Sequence, residues 1–237
     1  LLLRLFIPSF SYLMSLVISK ERFSIGLLAG AFGALIVTLG GWFFTLSLSV
    51  IVHFALLEFF RMAEFTGIRP ATKTTLVACQ FLLLMTQLAS EGYVSTELSS
   101  AVLPLSGAAI CGWLLLQPKT GSIADIAASI FGLFYLGFLP SHWLKLRSLI
   151  EIDSNYKSLL PSGWPSFITF GMIITFFSCL MIVAFDIGSY FIGKKYGRHP
   201  LSPISPSKTI EGAFGGLICS MLVGVFFGCL LELNFGA

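Results

Sequence analysis

Charged residues along this chain fall in clusters, and between the clusters run six stretches with no charge at all: 23–57, 74–90, 98–118, 126–144, 158–185 and 212–231. A bilayer core takes about 20 apolar residues per helix, so each stretch is long enough for a tilted or snorkelled span. The first is too long for one. Gly40 and Gly41 divide it, because two adjacent glycines are poor helix interior and mark a tight connection. The pattern predicts seven spans near 24–40, 42–61, 74–90, 98–117, 123–141, 165–185 and 210–231. Segment 5–18, weakened by Pro8 and by Ser9, Ser11 and Ser15, reads as an interfacial helix or as part of an additional span.

Composition narrows the class. Hydrophobic residues make up 56% of the 237 and charged residues 11%, with a mean hydropathy of +0.93. A soluble domain carries roughly a quarter charged residues, so a water-bounded globule is excluded. Dispersed Gly and Pro and the lack of a sustained heptad exclude collagen, disorder and coiled coil. The expectation is an all-α polytopic integral membrane protein forming one domain over 1–237. No nucleic-acid partner is expected. The five cysteines lie in apolar stretches without a CxxC pair and read as small buried hydrophobes.

The net charge of +3 matters through its placement. Seven alternating crossings put eleven of the fourteen basic residues on one side, from Arg4, Lys20 and Arg22 through Arg61, Arg69, Lys73 and Lys119 to Lys194, Lys195, Arg198 and Lys208. Lys145, Arg147 and Lys157 fall on the other. The positive-inside rule makes the first side cytoplasmic, or stromal in an organelle. Gly26, Gly30 and Gly33, Gly212 and Gly216, and Gly224 and Gly228 have the spacing of helix-packing seams.

Ionisable groups at membrane depth need a reason. His53 reads as an interhelical hydrogen-bond donor, Glu58 as a group that Arg61 neutralises one turn on or as a functional carboxylate, and His142 with Trp143 as interfacial anchors. Asp186 differs, being the one carboxylate in an otherwise apolar or small run from Phe167 to Gly193. Gly188 and Gly193 permit a broken helix there, which would let Asp186 face a polar cavity. Lys194 and Lys195 follow as a membrane anchor or headgroup patch. Pro206 predicts a helix start near Ser207, with Ser205, Lys208, Thr209 and Glu211 on or beside its first turn, a combination suited to an anion. Asp186 and Glu211 are candidate ligands for Mg²⁺ on a polyphosphate. Segment 184–216 is therefore the expected catalytic face.

The motif Asp186-x-Gly188-Ser189-Tyr190-x-x-Gly193, with Gly197, Leu201 and Ser205-Pro206-x-Lys208-Thr209-x-Glu211-Gly212, resembles the phosphatidate cytidylyltransferase family. The run from Ser129 to Pro140 and on to Arg147 is similar to its plastid and photosynthetic-bacterial branch. The resemblance implies CTP and phosphatidate as substrates, CDP-diacylglycerol and diphosphate as products, Mg²⁺ as cofactor, and a plastid or bacterial inner membrane as location. A homodimer is compatible with it. For that reaction Lys208, Asp186 and Glu211 are the expected catalytic residues, with Asp186 and Glu211 as metal contacts, and Ser205, Thr209, Gly188, Lys194 and Lys195 as substrate-binding residues, while the resemblance puts the main metal-binding aspartates in a segment beyond Ala237. Ser207 stands where the family often has lysine, and the family's closing Lys-Asp and Asp-Arg-x-Asp signature is not found before Ala237. These 237 residues are accordingly expected to insert in a membrane yet turn over little by themselves. Rival readings are a CTP-dependent lipid-alcohol kinase and a transporter binding its coupling cation at Asp186 and Glu58.

Overall fold

A computed structural model describes residues 25–118, 120–149, 168–203 and 205–230. Segment 5–18, with Lys20, Arg22, Lys119 and Lys157, lies outside them. The described elements are α1 (Ile25–Leu39), α2 (Gly41–Phe65), α3 (Thr72–Ser90), α4 (Thr96–Leu115), α5 (Ile123–Phe131), a π-helical stretch (Gly132–Phe138), α6 (Leu139–Arg147), α7 (Phe170–Tyr196), β1 (Pro200–Ser202), β2 (Ser205–Thr209) and α8 (Ile210–Leu230). Five rods among the described residues are long and apolar enough to cross a membrane: α2, α4, α5 through α6, α7 and α8. Helix α1 is shorter.

The division at Gly40 and Gly41 is present, with φ of 60° and 48°. Only glycine takes such angles without strain, and here the turn also receives Arg147. The Arg147 guanidinium donates from Nε to the Val37 carbonyl at 2.8 Å and from Nη1 to Thr169 Oγ1 at 2.9 Å. A side chain at Gly40 would collide with it. One buried arginine thus ties the α1–α2 turn to the ends of α6 and α7.

Helix α3 is the centre of the bundle. It packs against α2, α4, the π-helical stretch and α6, and its polar residues are used inward. Thr45 Oγ1 donates to Gln87 Oε1 at 2.7 Å, and Gln80 Nε2 donates to the Ser49 carbonyl at 3.2 Å. These pairs show that α2 and α3 run antiparallel. Interhelical bonds of this kind hold helices together where lipid tails provide no hydrophobic drive. Leu56, Phe60, Cys79, Leu83, Ile110, Leu133 and Leu144 fill the space between. Gly137 lies against Cys79 and Gly132 against Phe60, so the π-helical stretch approaches α2 and α3 closely through its glycines. At one end of the bundle, Asp125 closes a capping box with Ser122 and accepts from the Arg69 amide at 2.6 Å. Ser129 Oγ accepts from the Ala71 amide at 2.9 Å, which sets the start of α3 beside α5.

Helices α7 and α8 form an antiparallel hairpin, joined to the rest mainly through α6. Gly188 faces Cys219, Gly212 faces the Ser189 carbonyl, and Gly216 faces the Phe185 carbonyl. The expected seam at Gly212 and Gly216 is therefore real. The seam at Gly26, Gly30 and Gly33 is not seen among the described residues, since nothing lies within 4 Å of where their Cβ atoms would be. Gly228 is likewise open, while Gly224 meets Met181.

Two expectations about α7 and α8 are corrected. Helix α7 does not break at Gly188 or Gly193 but runs on to Tyr196, because those glycines are used for close packing. Helix α8 begins at Ile210 rather than near Ser207. Residues 205–209 are instead extended and pair with β1 in register Pro200↔Thr209 and Ser202↔Ser205.

This up-and-down arrangement puts Arg69, Lys73, Lys194 and Lys208 at one end and Glu97 and Lys145 at the other. Single cysteines at 69 and 194 are expected to react with a membrane-impermeant thiol reagent from the same side of sealed vesicles, and cysteines at 97 and 145 from the opposite side. Labelling of 69 and 194 from opposite sides would overturn the crossing pattern.

Candidate functional site

A cleft of about 540 Å³ lies between the last three turns of α7, the β1–β2 hairpin and the start of α8. Helical spacing explains the α7 wall: Asp186, Ser189, Tyr190, Gly193 and Lys194 recur at three- and four-residue intervals and share one face. The hairpin folds back to supply Leu201, Ser207, Lys208 and Thr209. Gly212 and Ala213 complete it.

The hairpin is held by local bonds that keep Lys208 over the cleft. Glu211 Oε2 accepts from the backbone amides of Arg198 at 3.1 Å and His199 at 3.3 Å. His199 Nδ1 lies 2.6 Å from Glu211 Oε1, and the Ile210 amide donates to the His199 carbonyl at 3.0 Å. The turn leaving α7 is thereby fastened to the first turn of α8. Thr209 Oγ1 accepts from the Gly212 amide at 3.1 Å and caps α8. Gly193 and Gly197 are small where Thr209 packs. A Cβ at Gly197 would sit 2.8 Å from Thr209 Oγ1 and closer still to the Gly193 carbonyl.

Asp186, Lys194, Lys208 and Thr209 are thus brought together from the expected set. Asp186 is exposed to the cleft. Among the described residues its carboxylate makes no ion pair, and neither does Lys208. Lys194 Nζ lies 5.7 Å from the centre of the Tyr190 ring, a cation–π distance. One free carboxylate therefore shares a cleft with two ammonium groups and with the hydroxyls of Ser189, Tyr190, Ser207 and Thr209.

Four expected site residues take other places. Gly188 is buried against α8 and serves the helix seam. Lys195 Nζ lies 5.1 Å from the Tyr196 ring and does not line the cleft. Ser205 pairs opposite Ser202 in the hairpin. Glu211 is engaged by the 198–199 turn and is also absent from the cleft wall. Asp186 lines the cleft while Glu211 is held by the 198–199 turn, and no group of three His, Cys, Asp or Glu able to hold a metal occurs among the described residues. The expected anion site also changes character. Two of the first amides of α8, those of Ile210 and Gly212, are already used within the protein, so the cleft offers lysine and hydroxyl side chains rather than a bare helix start.

Ser189, Tyr190 and Ser207 were not assigned a role from sequence. For Ser189 and Tyr190 the signal was available in their three- and four-residue spacing from Asp186, which an unbroken helix turns into one face. For Ser207 it required the hairpin. Glu58 and His53 are exposed on α2 and do not line this cleft.

The sequence model described as the cytidylyltransferase family matches residues 20–236. A phosphatidate cytidylyltransferase of Synechocystis sp. is 41% identical over 213 residues, covering 86% of this chain and 70% of that protein. The chloroplastic phosphatidate cytidylyltransferase 5 of Arabidopsis thaliana is 30% identical over 213 residues, and this chain spans about half its length, 51%. A phosphatidate cytidylyltransferase of Bacillus subtilis is 23% identical over 218 residues, 90% of this chain and 73% of that protein. No solved structure matches the chain significantly.

Proposed function

The chain belongs to the cytidylyltransferase family, and from that premise we infer that it is a membrane phosphatidate cytidylyltransferase, converting CTP and phosphatidate to CDP-diacylglycerol and diphosphate. The observation that carries the reading within the structure is the cleft holding Asp186, Lys194 and Lys208 at the end of an apolar helix hairpin. A triphosphate needs cations and hydroxyl donors, and a lipid phosphate needs the site to open at the membrane boundary. The lysines and hydroxyls of the cleft support the first requirement, and its place at the end of two long apolar helices supports the second.

The reaction forms a P–O bond between a phosphatidate oxygen and the α-phosphorus of CTP. The bond from the α-phosphorus to its bridging oxygen breaks, and diphosphate leaves with the electron pair. A phosphate monoester is largely ionised near neutral pH, so no strong general base is required. Such transfers depend on alignment and on neutralising charge. Lys208 and Lys194 are placed to take the phosphate charge, and Ser189, Ser207 and Thr209 to orient phosphate oxygens. Mg²⁺ is the cofactor we propose: Asp186 would contribute a carboxylate oxygen toward holding it, and the ion would supply charge neutralisation. Glu211 holds the turn that carries Lys208 in place. We place the cleft on the cytoplasmic or stromal side, because the basic residues gather at that end.

The test uses CTP labelled at the α or the γ phosphate, with phosphatidate in mixed micelles and the protein in its full natural chain. Label from the α position is expected in the lipid product, and γ label in free diphosphate. γ label in the lipid would instead show a kinase, and the absence of label from either position in the lipid would remove the enzyme reading.

A further inference from the structure

Away from this cleft, α3 and α4 enclose a second hollow of about 580 Å³ whose wall is almost entirely apolar. Val77, Phe81, Leu105, Ala109 and Trp113 line it, and Lys73 stands at one end. Val77 is 70% exposed, Leu105 66% and Trp113 53%, so the hollow opens outward from the bundle toward lipid.

Its dimensions and charge fit one kind of occupant. From Lys73 to Phe81 is eight residues of helix, about 12 Å, close to the depth of one leaflet of a hydrocarbon core of about 30 Å. Lys73 and Trp113 lie together at the end of the bundle that also carries the cleft, where a tryptophan and a snorkelling lysine meet headgroups. Among the described residues Lys73 makes no ion pair. Glu64, in the last turn of α2, accepts from the Thr72 hydroxyl at 3.5 Å instead. Ala109 and Ser106 provide the concavity by being small.

We propose that the α3–α4 hollow is a binding site for an anionic glycerophospholipid, with an acyl chain between the helices and the phosphate on Lys73. This site is separate from the catalytic cleft in its helices and its residues. A zwitterionic lipid fills the same apolar wall but brings a quaternary ammonium with its phosphate, which offsets the attraction to Lys73, and this difference makes the site prefer a net-anionic headgroup.

The test is native mass spectrometry of the protein in micelles supplied with dioleoyl phosphatidylglycerol or dioleoyl phosphatidylcholine. Their chains are identical, so a difference reports the headgroup. The expected result is one retained phosphatidylglycerol per chain and little phosphatidylcholine. Lys73→Glu is expected to weaken phosphatidylglycerol retention by about tenfold or more, and Ala109→Trp to remove it by filling the hollow. Equal retention of the two lipids, or unchanged retention in Lys73→Glu, would overturn the proposal. So would a dimer that Ala109→Trp dissolves, since a second copy would then be the occupant. Should Ala109→Trp fail to insert, the exposed Lys73→Glu decides alone. CTP turnover is not a readout, so this result stands apart from the catalytic reading.

Discussion

Lys208→Ala is expected to lower kcat by a factor on the order of 10² or more, with a smaller change in the apparent affinity for CTP. Lys208 lies in β2 with its side chain exposed on the cleft and without an ion pair among the described residues. Its charge is therefore available to substrate. Negative charge builds on the oxygens around the α-phosphorus as the bond to diphosphate breaks, and a cation already in place there needs no reorganisation. Its neighbour Ser207 brings no second charge, and Lys194 approaches from the opposite wall, on α7. Lys194→Ala is expected to have an intermediate effect and Lys195→Ala a small one, because Lys195 lies over Tyr196 outside the cleft. Lys208→Arg is expected to restore only part of the loss, since a planar guanidinium does not replace a compact ammonium. Steady-state kinetics in mixed micelles, after normal insertion of each variant is confirmed, provide the check. Near-normal kcat in Lys208→Ala with an inactive Lys195→Ala would move the catalytic cation to the end of α7.

The second large effect separates two carboxylates that look equivalent in the linear motif. Asp186→Asn keeps the shape of the side chain and removes its charge, and kcat/KM is expected to fall on the order of 10²-fold or more, with a rise in the Mg²⁺ concentration needed for half-maximal rate. Glu211→Gln is expected to behave otherwise. An amide oxygen can still accept from the Arg198 and His199 amides, so the turn is largely retained, activity falls by roughly tenfold or less, and the Mg²⁺ requirement stays unchanged. Glu211→Ala removes all three contacts and is expected to reduce kcat further, through Lys208, again without moving the Mg²⁺ requirement. A Mg²⁺ titration of the variants distinguishes the roles. An equal shift in Asp186→Asn and Glu211→Gln would return Glu211 to the metal.

What the sequence made legible follows from what the bilayer imposes. Backbone groups in lipid must be satisfied within the helix, so charge-free stretches translated directly into α2, α4 and α8, and Gly40 with Gly41 marked a turn. The extent of α7 was hidden, because Gly188 and Gly193 look like helix breakers until α8 is there to pack against them. Small residues at regular spacing are ambiguous in the same way. Gly212 and Gly216 meet Phe185 and Ser189, whereas Gly26, Gly30 and Gly33 have the same pattern and meet nothing among the described residues. Lys208 and Asp186 were legible as chemistry because a carboxylate and a lone lysine beside apolar spans demand a use. The hairpin that joins them was not, since β1 has three residues and β2 five, too short for any periodicity. The role of Glu211 depends on partners twelve and thirteen residues away, and Asp125, which meets the Arg69 amide across 56 residues, was not singled out at all.

CTP is expected to bind in the cleft between α7 and the hairpin. The most direct test is protection of a single reactive cysteine, Ser207→Cys, from alkylation, followed by peptide-resolved mass spectrometry so that the five native cysteines are read separately. With Mg²⁺ present, saturating CTP is expected to slow alkylation at 207 severalfold while leaving a cysteine placed at Val77, on the α3–α4 hollow, reacting at its original rate. Alkylation at 207 that is indifferent to CTP, in a protein that still forms CDP-diacylglycerol, would place the nucleotide elsewhere and contradict the account.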